Sequence, residues 1–350
     1  MGRVTLKTVA EKVGVSSMTV SNAFSRPDQL SAQLRERILA VAAELGYVGP
    51  DPAARTLARG TTGTVGILLT ESLRHAFTDE ISTAFLAAIA DELTPSGLAL
   101  TLLPATEPGP IVPARDVAID GALVYSCRAD SPALDWLRRR GLPLVFVDQA
   151  PVSGIPSVNV DDRGGARAAA QHLVDLGHRR VGLLNVGDEE STTRLNDWHS
   201  SRQRRLGWLD ALEPAGVTVT VAQSKHCNQD EGYELAKKML ARDRPTALLC
   251  FSDAIAAGAM LAADDLGLSI PGDLSIVGFD DNPLATRLRP ALTTVDQDVA
   301  GKGRAAANAL TEAVRRHRSN LAGGTPAKVR HLTLPTRLVV RDSTAAVTPR

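Results

Sequence analysis

A run of short polar side chains near the start of the chain has the chemistry needed to read a DNA groove. Its members carry hydroxyl or amide groups, with one flexible apolar side chain among them: Ser17, Met18, Thr19, Ser21 and Asn22. Groups of this kind suit hydrogen bonds and apolar contacts to base edges and phosphates in a major groove. The alternative is an ordinary helix face exposed to water.

Three residues around this run predict the geometry that would present it. Ala10 is small enough to let two helices approach, Gly14 can adopt the positive φ of a turn, and Val20 can fill the joint from the second helix. Their spacing predicts a helix-turn-helix, with a small helical docking module as the alternative. Side chains suited to cap the three predicted helices stand at Thr5, Ser16 and Ser31.

A second group of polar residues directly follows predicted strands in the middle of the chain. Its members are Asp161, Ser252 and Asp280. Ligands of open α/β sheets bind beyond the carboxyl ends of the strands, so these side chains predict a ligand-binding cleft. Arg204, predicted to open a helix, could grip hydroxyl or carboxylate groups of a ligand there. Further candidates for ring contacts, in predicted loops, are Phe77 and Trp198.

The elements that must position these residues change character near residue 65. From there apolar strands alternate with amphipathic helices, which predicts parallel sheets covered by helices on both faces. The predicted strands are 65–70, 98–103, 119–125, 143–147, 156–160, 180–186, 217–222, 246–251, 274–279 and 329–334. Ten strands are more than a single open sheet usually contains, so we expect an α/β body of two doubly wound lobes behind an all-α head.

Composition and charge narrow the class of protein. The chain has 350 residues, with 39 basic and 39 acidic side chains. Residues 1–60 hold eight basic and five acidic residues, a net +3, so a weakly basic head precedes a body of net −3. The three cysteines lie far apart, which indicates a reducing compartment and no metal site. Charges at Lys7, Glu11 and Lys12 do not fit a signal peptide, so we expect a cytoplasmic protein without a membrane span.

The segment PDPAARTLARG, residues 50–60, favours a short helix that cannot stand alone. Asp51 is a good N-cap and Pro52 a good first helical residue. Eight or nine residues are too few for a stable isolated helix, so we expect it to be helical only when paired. A plain linker is the alternative.

The head is similar in sequence to a known family. The stretch TLKTVAEKVGVSSMTVSNAFSRPDQLSAQLRERILAVAAELGYV, residues 5–48, resembles the head of the LacI–GalR family of transcriptional regulators. The resemblance implies base reading by Ser17, Met18 and Asn22, phosphate contacts by Thr19 and Ser21, and contacts of Thr5 and Leu6 with the DNA backbone. It also implies that two copies of residues 52–59 pair in a homodimer and that Leu57 wedges into the minor groove, flanked by Arg55 and Arg59.

The body continues the resemblance. Five stretches occur in the family's order: VNVDDRGGARAAAQHLVDLGHRRVGLL, RRLGW, FSDAIAAGAM, LSIVGFDDNPLATRLRPALTTVDQD and LPTRLVVRDST. They resemble its periplasmic-binding-protein-like core, which implies effector contacts by Asp161, Arg204, Ser252 and Asp280. The neighbouring Asp253 is expected to cap helix 254–267 instead of binding the effector.

The resemblance implies a division into three parts and a function. We expect a DNA-binding head at 1–49, a hinge at 50–61 and an effector-binding body at 62–350. The lobes of the body are expected at 62–160 with 293–325, and at 161–290 with 326–350. The function expected is that of a repressor whose affinity for a near-palindromic operator in double-stranded DNA is controlled by a sugar-like or nucleoside-like effector.

Two other classes of protein remain as alternatives. A stand-alone small-molecule binding protein of the periplasmic type would leave residues 1–60 without a role. An α/β enzyme is disfavoured because no G-x-S-x-G elbow and no H-x-x-x-H pair occur, and because adjacent Asp280 and Asp281 would point to opposite faces of a strand. We therefore expect no enzymatic activity, no cofactor and no metal.

Overall fold

The computed structural model describes residues 4–51, 56, 60–69, 73–105, 111–127, 131–187, 198–321 and 329–347. The chain separates into two compact units, Met1–Gly63 and Thr64–Arg350, here called the head and the body. Among the residues described, none of the helices has the length and apolar character needed to cross a membrane.

The head is built of three short helices. They are α1 (Leu6–Val13), α2 (Ser17–Ser25) and α3 (Ala32–Glu44). Gly14 ends α1 at φ 81°, and Ala10 and Val20 are buried in the small core that the three helices share. The predicted helix-turn-helix is therefore confirmed. A side-chain oxygen accepts a hydrogen bond from the first turn of each helix at Thr5, Ser16 and Ser31, as predicted.

The body contains two parallel sheets, as predicted. Its strands are β1 (Thr64–Leu69), β2 (Ala99–Pro104), β3 (Ala122–Tyr125), β4 (Leu144–Val147), β5 (Ser157–Val160), β6 (Arg180–Val186), β7 (Thr218–Ser224), β8 (Ala247–Cys250), β9 (Ser275–Val277), β10 (Thr294–Asp296), β11 (His331–Leu334) and β12 (Arg337–Val339). The first lobe has the strand order β11-β5-β4-β3-β1-β2 and the second has β7-β6-β8-β9. Within these two sheets every neighbouring pair is parallel. The strands β10 and β12 form a separate two-stranded antiparallel sheet.

Helices cover the sheets and form the lobe cores with them. They are α4 (Leu73–Thr78), α5 (Glu80–Leu93), α6 (Pro113–Asp116), α7 (Pro132–Arg139), α8 (Asp162–Asp175), α9 (His199–Leu212), α10 (Gln229–Arg242), α11 (Asp253–Asp265), α12 (Pro283–Arg287) and α13 (Val299–Leu321). The long helix α13 belongs to the first lobe, because Ala306, Ala307 and Leu310 are buried in one cluster with Phe85 and Ile89 of α5.

One strand lies in the lobe opposite to the predicted one. The sequence-based division assigned residues 326–350 to the second lobe, but β11 pairs in parallel with β5 of the first sheet, with His331 opposite Ser157. The division is therefore wrong for β11, whereas Ser343 and Ala345 do bond to Ile276 and Ser275 of the second lobe. The reason is that β11 is an edge strand whose first three residues are exposed, so its sequence carries no apolar pattern that would select a sheet.

Candidate functional site

The polar face of α2 is presented to solvent. Ser17 is exposed and Met18 is 69% exposed, whereas Val20 and Ala23 on the opposite side are buried. Asn22 is half-buried, and its Nδ2 donates to Gln29 Oε1 at 3.2 Å. The helix therefore offers the side chains that the sequence singled out for base contacts.

Other predicted DNA contacts have structural tasks in the head as well. Thr5 Oγ1 accepts a hydrogen bond from Thr8 N at 3.4 Å and caps α1, and Leu6 packs against the head core. Thr19 Oγ1 lies 2.8 Å from Ser16 Oγ, which caps α2. Ser21 is half-buried on the same helix. Two predicted contacts, Arg55 and Leu57, lie outside the described residues.

A cleft in the body opens at the carboxyl ends of the strands of both lobes. It contains about 750 Å³ of space not filled by protein atoms, part of it open to solvent. The first lobe contributes Asp79, Ser82, Tyr125, Ser126 and Asp148, the second contributes Trp198, Ser200, Arg204, Phe251 and Asp280, and Gln297 and Lys302 also line it.

Arg204 is the centre of the second lobe's side of the cleft. Its guanidinium donates to Asp162 Oδ1 at 2.8 Å and to the carbonyl of Phe251 at 2.5 Å, and it lies 3.4 Å from Asp280 Oδ1. The same group lies 3.6 Å from the centroid of the Phe279 ring. Because the side chain is only 6% exposed, these carboxylates are the partners that make its charge tolerable there.

The chain of polar contacts continues across to the first lobe. Gln297 Nε2 donates to Asp280 Oδ1 at 2.5 Å, and Gln297 Oε1 accepts from Lys302 Nζ at 2.7 Å. Lys302 Nζ in turn donates to Asp148 Oδ2 at 2.6 Å. The series Asp148–Lys302–Gln297–Asp280–Arg204–Asp162, here called the polar chain, therefore joins the two lobes beneath the cleft.

Burial shifts the pKa of the carboxyl groups in the second lobe. It raises the pKa of Asp280 from 3.8 to about 7, with a further upward effect of Asp79, whereas Arg204 and Lys302 act against it. Burial likewise raises the pKa of Asp162, although Arg204 opposes the shift. A carboxyl group with a pKa near neutrality can change its protonation when a ligand enters.

Replacing Asp280 with asparagine tests this shift without a ligand. In the unfolded chain Asp280 loses its proton near 3.8, but in the folded chain only near about 7. As pH rises through this interval the unfolded state is favoured, so Asp280 makes the wild type progressively less stable. The stability of Asp280→Asn relative to wild type should therefore rise with pH over the interval.

Urea unfolding at a series of pH values measures this effect. Asp210→Asn is the matched control, because Arg163 lowers the pKa of Asp210. Its stability relative to wild type should fall as pH rises through the lowered pKa toward the ordinary one. A flat difference for Asp280→Asn would contradict the shift.

Asp161 does not lie in the cleft. Its side chain is exposed and its Oδ1 accepts from Gly164 N at 2.9 Å, so it caps α8. The next residue, Asp162, turns inward and pairs with Arg204. The structure therefore does not place Asp161 among the residues that line the cleft, because the first turn of a helix sends adjacent side chains in different directions.

The helix cap expected at Asp253 is provided by Ser252 instead. Ser252 Oγ accepts from Ile255 N at 3.2 Å and caps α11, so it does not line the cleft. Asp253 is fully buried and accepts hydrogen bonds from Thr294 Oγ1 at 2.5 Å and from Asn282 N at 3.0 Å. Ser252 therefore faces its own helix and not the cleft, and Asp253 ties β10 and α12 to α11 instead of capping it.

Of the two predicted aromatic contacts, only one lines the cleft. Trp198 lines the cleft at the start of α9. Phe77 lies on helix α4 and not in a loop, is 67% exposed and does not line the cleft. Of the predicted effector contacts, the structure thus brings together Arg204, Asp280 and Trp198.

Several cleft residues were missed by sequence reasoning. Asp148 directly follows β4 and could have been found by the strand-end rule that selected Asp280. Lys302 and Gln297 gave no signal, since a lysine in a helix and a glutamine beside one are ordinary surface residues.

The described residues offer little for metal or thiol chemistry. They contain no group of three or more His, Cys, Asp or Glu side chains arranged to hold a metal ion. Cys227 Sγ lies 3.1 Å from Ser252 Oγ at the edge of the cleft, and burial raises the pKa of its thiol well above the ordinary value. A thiol so poorly ionised is a weak nucleophile.

Comparisons with known proteins bear on both units. Residues 5–49 match the model of bacterial regulatory proteins of the lacI family, and residues 170–344 match that of the periplasmic binding protein-like domain. The chain is 39% identical over 330 residues to the HTH-type transcriptional regulator IpsA of Corynebacterium glutamicum, covering 89% of this chain and 91% of the relative.

Two similar solved structures carry ligands. One is the lac repressor dimer bound to operator and the anti-inducer ONPF, with a TM-score of 0.80, 27% identity, and coverage of 99% of this chain and all of that one. The other is the transcriptional regulator CelR in complex with cellobiose, with a TM-score of 0.67, 26% identity, and coverage of 97% of this chain and all of that one.

Proposed function

The chain belongs to the LacI family of bacterial regulatory proteins, and on this premise we propose that it is a repressor whose cleft binds the effector that controls its affinity for operator DNA. It is a DNA-binding transcriptional regulator with a helix-turn-helix head and an effector-binding body. What is proposed is the direction of control and the residues that exert it.

The polar chain is the observation that carries this proposal. A ligand that enters the cleft meets Asp148 on the first lobe and Asp280 and Arg204 on the second. Its contacts therefore depend on the distance between the lobes, and it shifts the lobe arrangement by its difference in affinity for the two arrangements.

The proposed coupling runs through residues 52–59. In a homodimer, the lobe arrangement sets the distance between the two copies of this segment, which is too short to stay helical alone. Pairing would insert Leu57 into the minor groove, and separation would withdraw it. A two-fold dimer requires a near-palindromic operator. The similar lac repressor structure, which is a dimer bound to operator, supports this arrangement.

The test is operator binding by purified protein with and without effector. Operators selected from random DNA should be near-palindromic, and sedimentation should show a dimer at micromolar concentration. One member of a metabolite panel should both raise the melting temperature, as mass action requires, and release the operator. A monomer that protects no selected DNA would refute the proposal.

We expect Asn22 to read bases and Arg55 to contact phosphates. Asn22→Ala should weaken the selected operator by about 1–3 kcal/mol and relax the preference at one or two positions. Arg55→Ala should weaken all sequences alike and reduce the slope of affinity against salt. Titrations on operator and random DNA at several salt concentrations separate the two. Equal losses of Asn22→Ala on both DNAs would show that Asn22 does not read bases.

The remaining parts of the proposal follow from this function. A protein that controls operators acts where the chromosomal DNA lies, so we place it in the cytoplasm. It is proposed to bind its effector without converting it, and incubation of the tight-binding metabolite with the protein should return it unchanged.

A further inference from the structure

Lys302 is a buried cation that belongs to the cleft. It is 1% exposed, and its ammonium donates to Asp148 Oδ2 at 2.6 Å and to Gln297 Oε1 at 2.7 Å. Its Nζ also lies 5.8 Å from the ring centroids of both Phe85 and Tyr125. A buried lysine needs a compensating carboxylate, and Asp148 provides it.

The contact with Lys302 fixes how Asp148 faces the cleft. One oxygen, Oδ2, is taken by Lys302, and the other, Oδ1, is buried without a hydrogen-bond partner among the described residues. Asp148 is only 7% exposed and lines the cleft. A buried carboxylate oxygen without a donor is costly, so this atom calls for a hydrogen-bond donor from the ligand.

Lys302 also orients the amide of Gln297. An ammonium group can only donate, so it must face Oε1, and the amide nitrogen is directed to Asp280. The amide is thereby engaged within the protein at both ends, and Oδ1 of Asp280 accepts its hydrogen bond.

The cations of the cleft are already neutralised. In the described part of the polar chain, Asp148 balances Lys302, and Asp162 and Asp280 flank Arg204. Three carboxyl groups thus face two cations, and Asp79 adds a further carboxyl to the cleft lining. Among the described residues that line the cleft, a phosphate or carboxylate on the ligand would meet acceptor atoms and no uncompensated positive charge.

We propose that Lys302 is a positioning residue for effector recognition: it holds Asp148 and Gln297 so that the cleft selects uncharged, hydroxyl-donating ligands and rejects phosphorylated or carboxylated ones. The inference rests on the proposed effector function of the cleft. It narrows the ligand to neutral polyhydroxy compounds and assigns the selection to a residue that touches the ligand only through its two partners.

Variants that remove one charge or both, together with matched ligands, test the proposal. The probes are neutral monosaccharides, disaccharides, hexitols and cyclitols, each with its phosphorylated and its amino-substituted counterpart, titrated by calorimetry at millimolar concentration without DNA. The variants are Lys302→Met, Asp148→Asn and the double variant. Lys237→Met is the control, because Lys237 lies on α10 and contacts Tyr233 outside the cleft.

Wild type and Lys237→Met should bind a neutral compound of the probe set and reject its phosphorylated counterpart. In Lys302→Met, affinity for the neutral member should fall about tenfold to a hundredfold, because Asp148 has lost its cation. The amino counterpart should then bind more tightly than the neutral one, since its ammonium replaces the missing charge. In Asp148→Asn the phosphorylated counterpart should gain instead, and the double variant should again prefer the neutral member.

A purely structural role for Lys302 would lower all affinities together and leave the selectivity unchanged, which would overturn the proposal. Binding of no neutral member by wild type, or tighter binding of a phosphorylated one, would do the same. If Lys302→Met does not fold, Asp148→Asn and the double variant still measure the change in selectivity. A compound that binds as predicted but does not release operator counts against the proposed function and leaves the role of Lys302 standing.

Discussion

Replacing Arg204 with methionine is expected to destabilise the body by about 3–5 kcal/mol and to abolish the effector response. The variant leaves the carboxyl groups of Asp162 and Asp280 buried without their cation. Asp162 is affected most, because its second oxygen, Oδ2, is buried with no hydrogen-bond partner in the part of the chain that the structure describes. The stacking of the guanidinium on Phe279 is lost as well.

Arg163→Met is the matched control for this prediction. Arg163 on α8 pairs with Asp210 on α9, and Arg204 on α9 pairs with Asp162 on α8, so both ion pairs join the same two helices. Arg163 is 51% exposed, and an exposed ion pair contributes little to stability. Urea unfolding gives the two losses, and operator titration with the panel compound gives the response. Similar losses for the two variants would mean that burial of Arg204 is not what makes its ion pairs important.

Substitution of Gly14 is expected to weaken operator binding. The loss should be larger the less well the new residue tolerates the positive φ of this position. Gly14 has φ 81°, and a Cβ atom placed on it would meet nothing within 4 Å. A loss can therefore come only from the left-handed backbone, which costs an L-residue about 1–2 kcal/mol. Asparagine tolerates this region best, alanine less well and valine, which is β-branched, least.

The measurement combines operator affinity with hydrogen exchange of the amides of α1 and α2 in the full chain. We expect the order Gly14, Gly14→Asn, Gly14→Ala, Gly14→Val in both, with Gly14→Val the weakest binder. Effector binding by the body serves as the internal control and should not change. Equal affinity of Gly14→Val and wild type would show that the turn between α1 and α2 does not need this conformation.

The head could be predicted from the sequence because its determinants are local. Each helix begins at a side chain that caps its own first turn, and Ala10, Gly14 and Val20 act across a few residues. The body was predictable as a class for a similar reason, since the alternation of strands and helices records which faces are buried. The bounds of β6, Arg180–Val186, coincide with the predicted strand 180–186.

The cleft was predictable only in part. The rule that ligands bind beyond the strand ends located Asp280, and resemblance pointed to Arg204, which lines the cleft. The rule could not decide between Asp161 and Asp162, or between capping and lining at Ser252. Those outcomes depend on how the first turn of a helix is rotated against its neighbours, and packing sets that rotation.

The sequence by itself determined the helix-turn-helix, the two-lobed α/β class and the approximate place of the cleft, because these follow from short-range spacing and apolar periodicity. Only the tertiary structure decided that β11 joins the first sheet and that Lys302 reaches Asp148 across 154 residues. No local pattern marks an edge strand's partner or a lysine that will be buried. Both depend on residues that are distant in the sequence. The lysine in particular is stable only because the fold supplies its counter-charge.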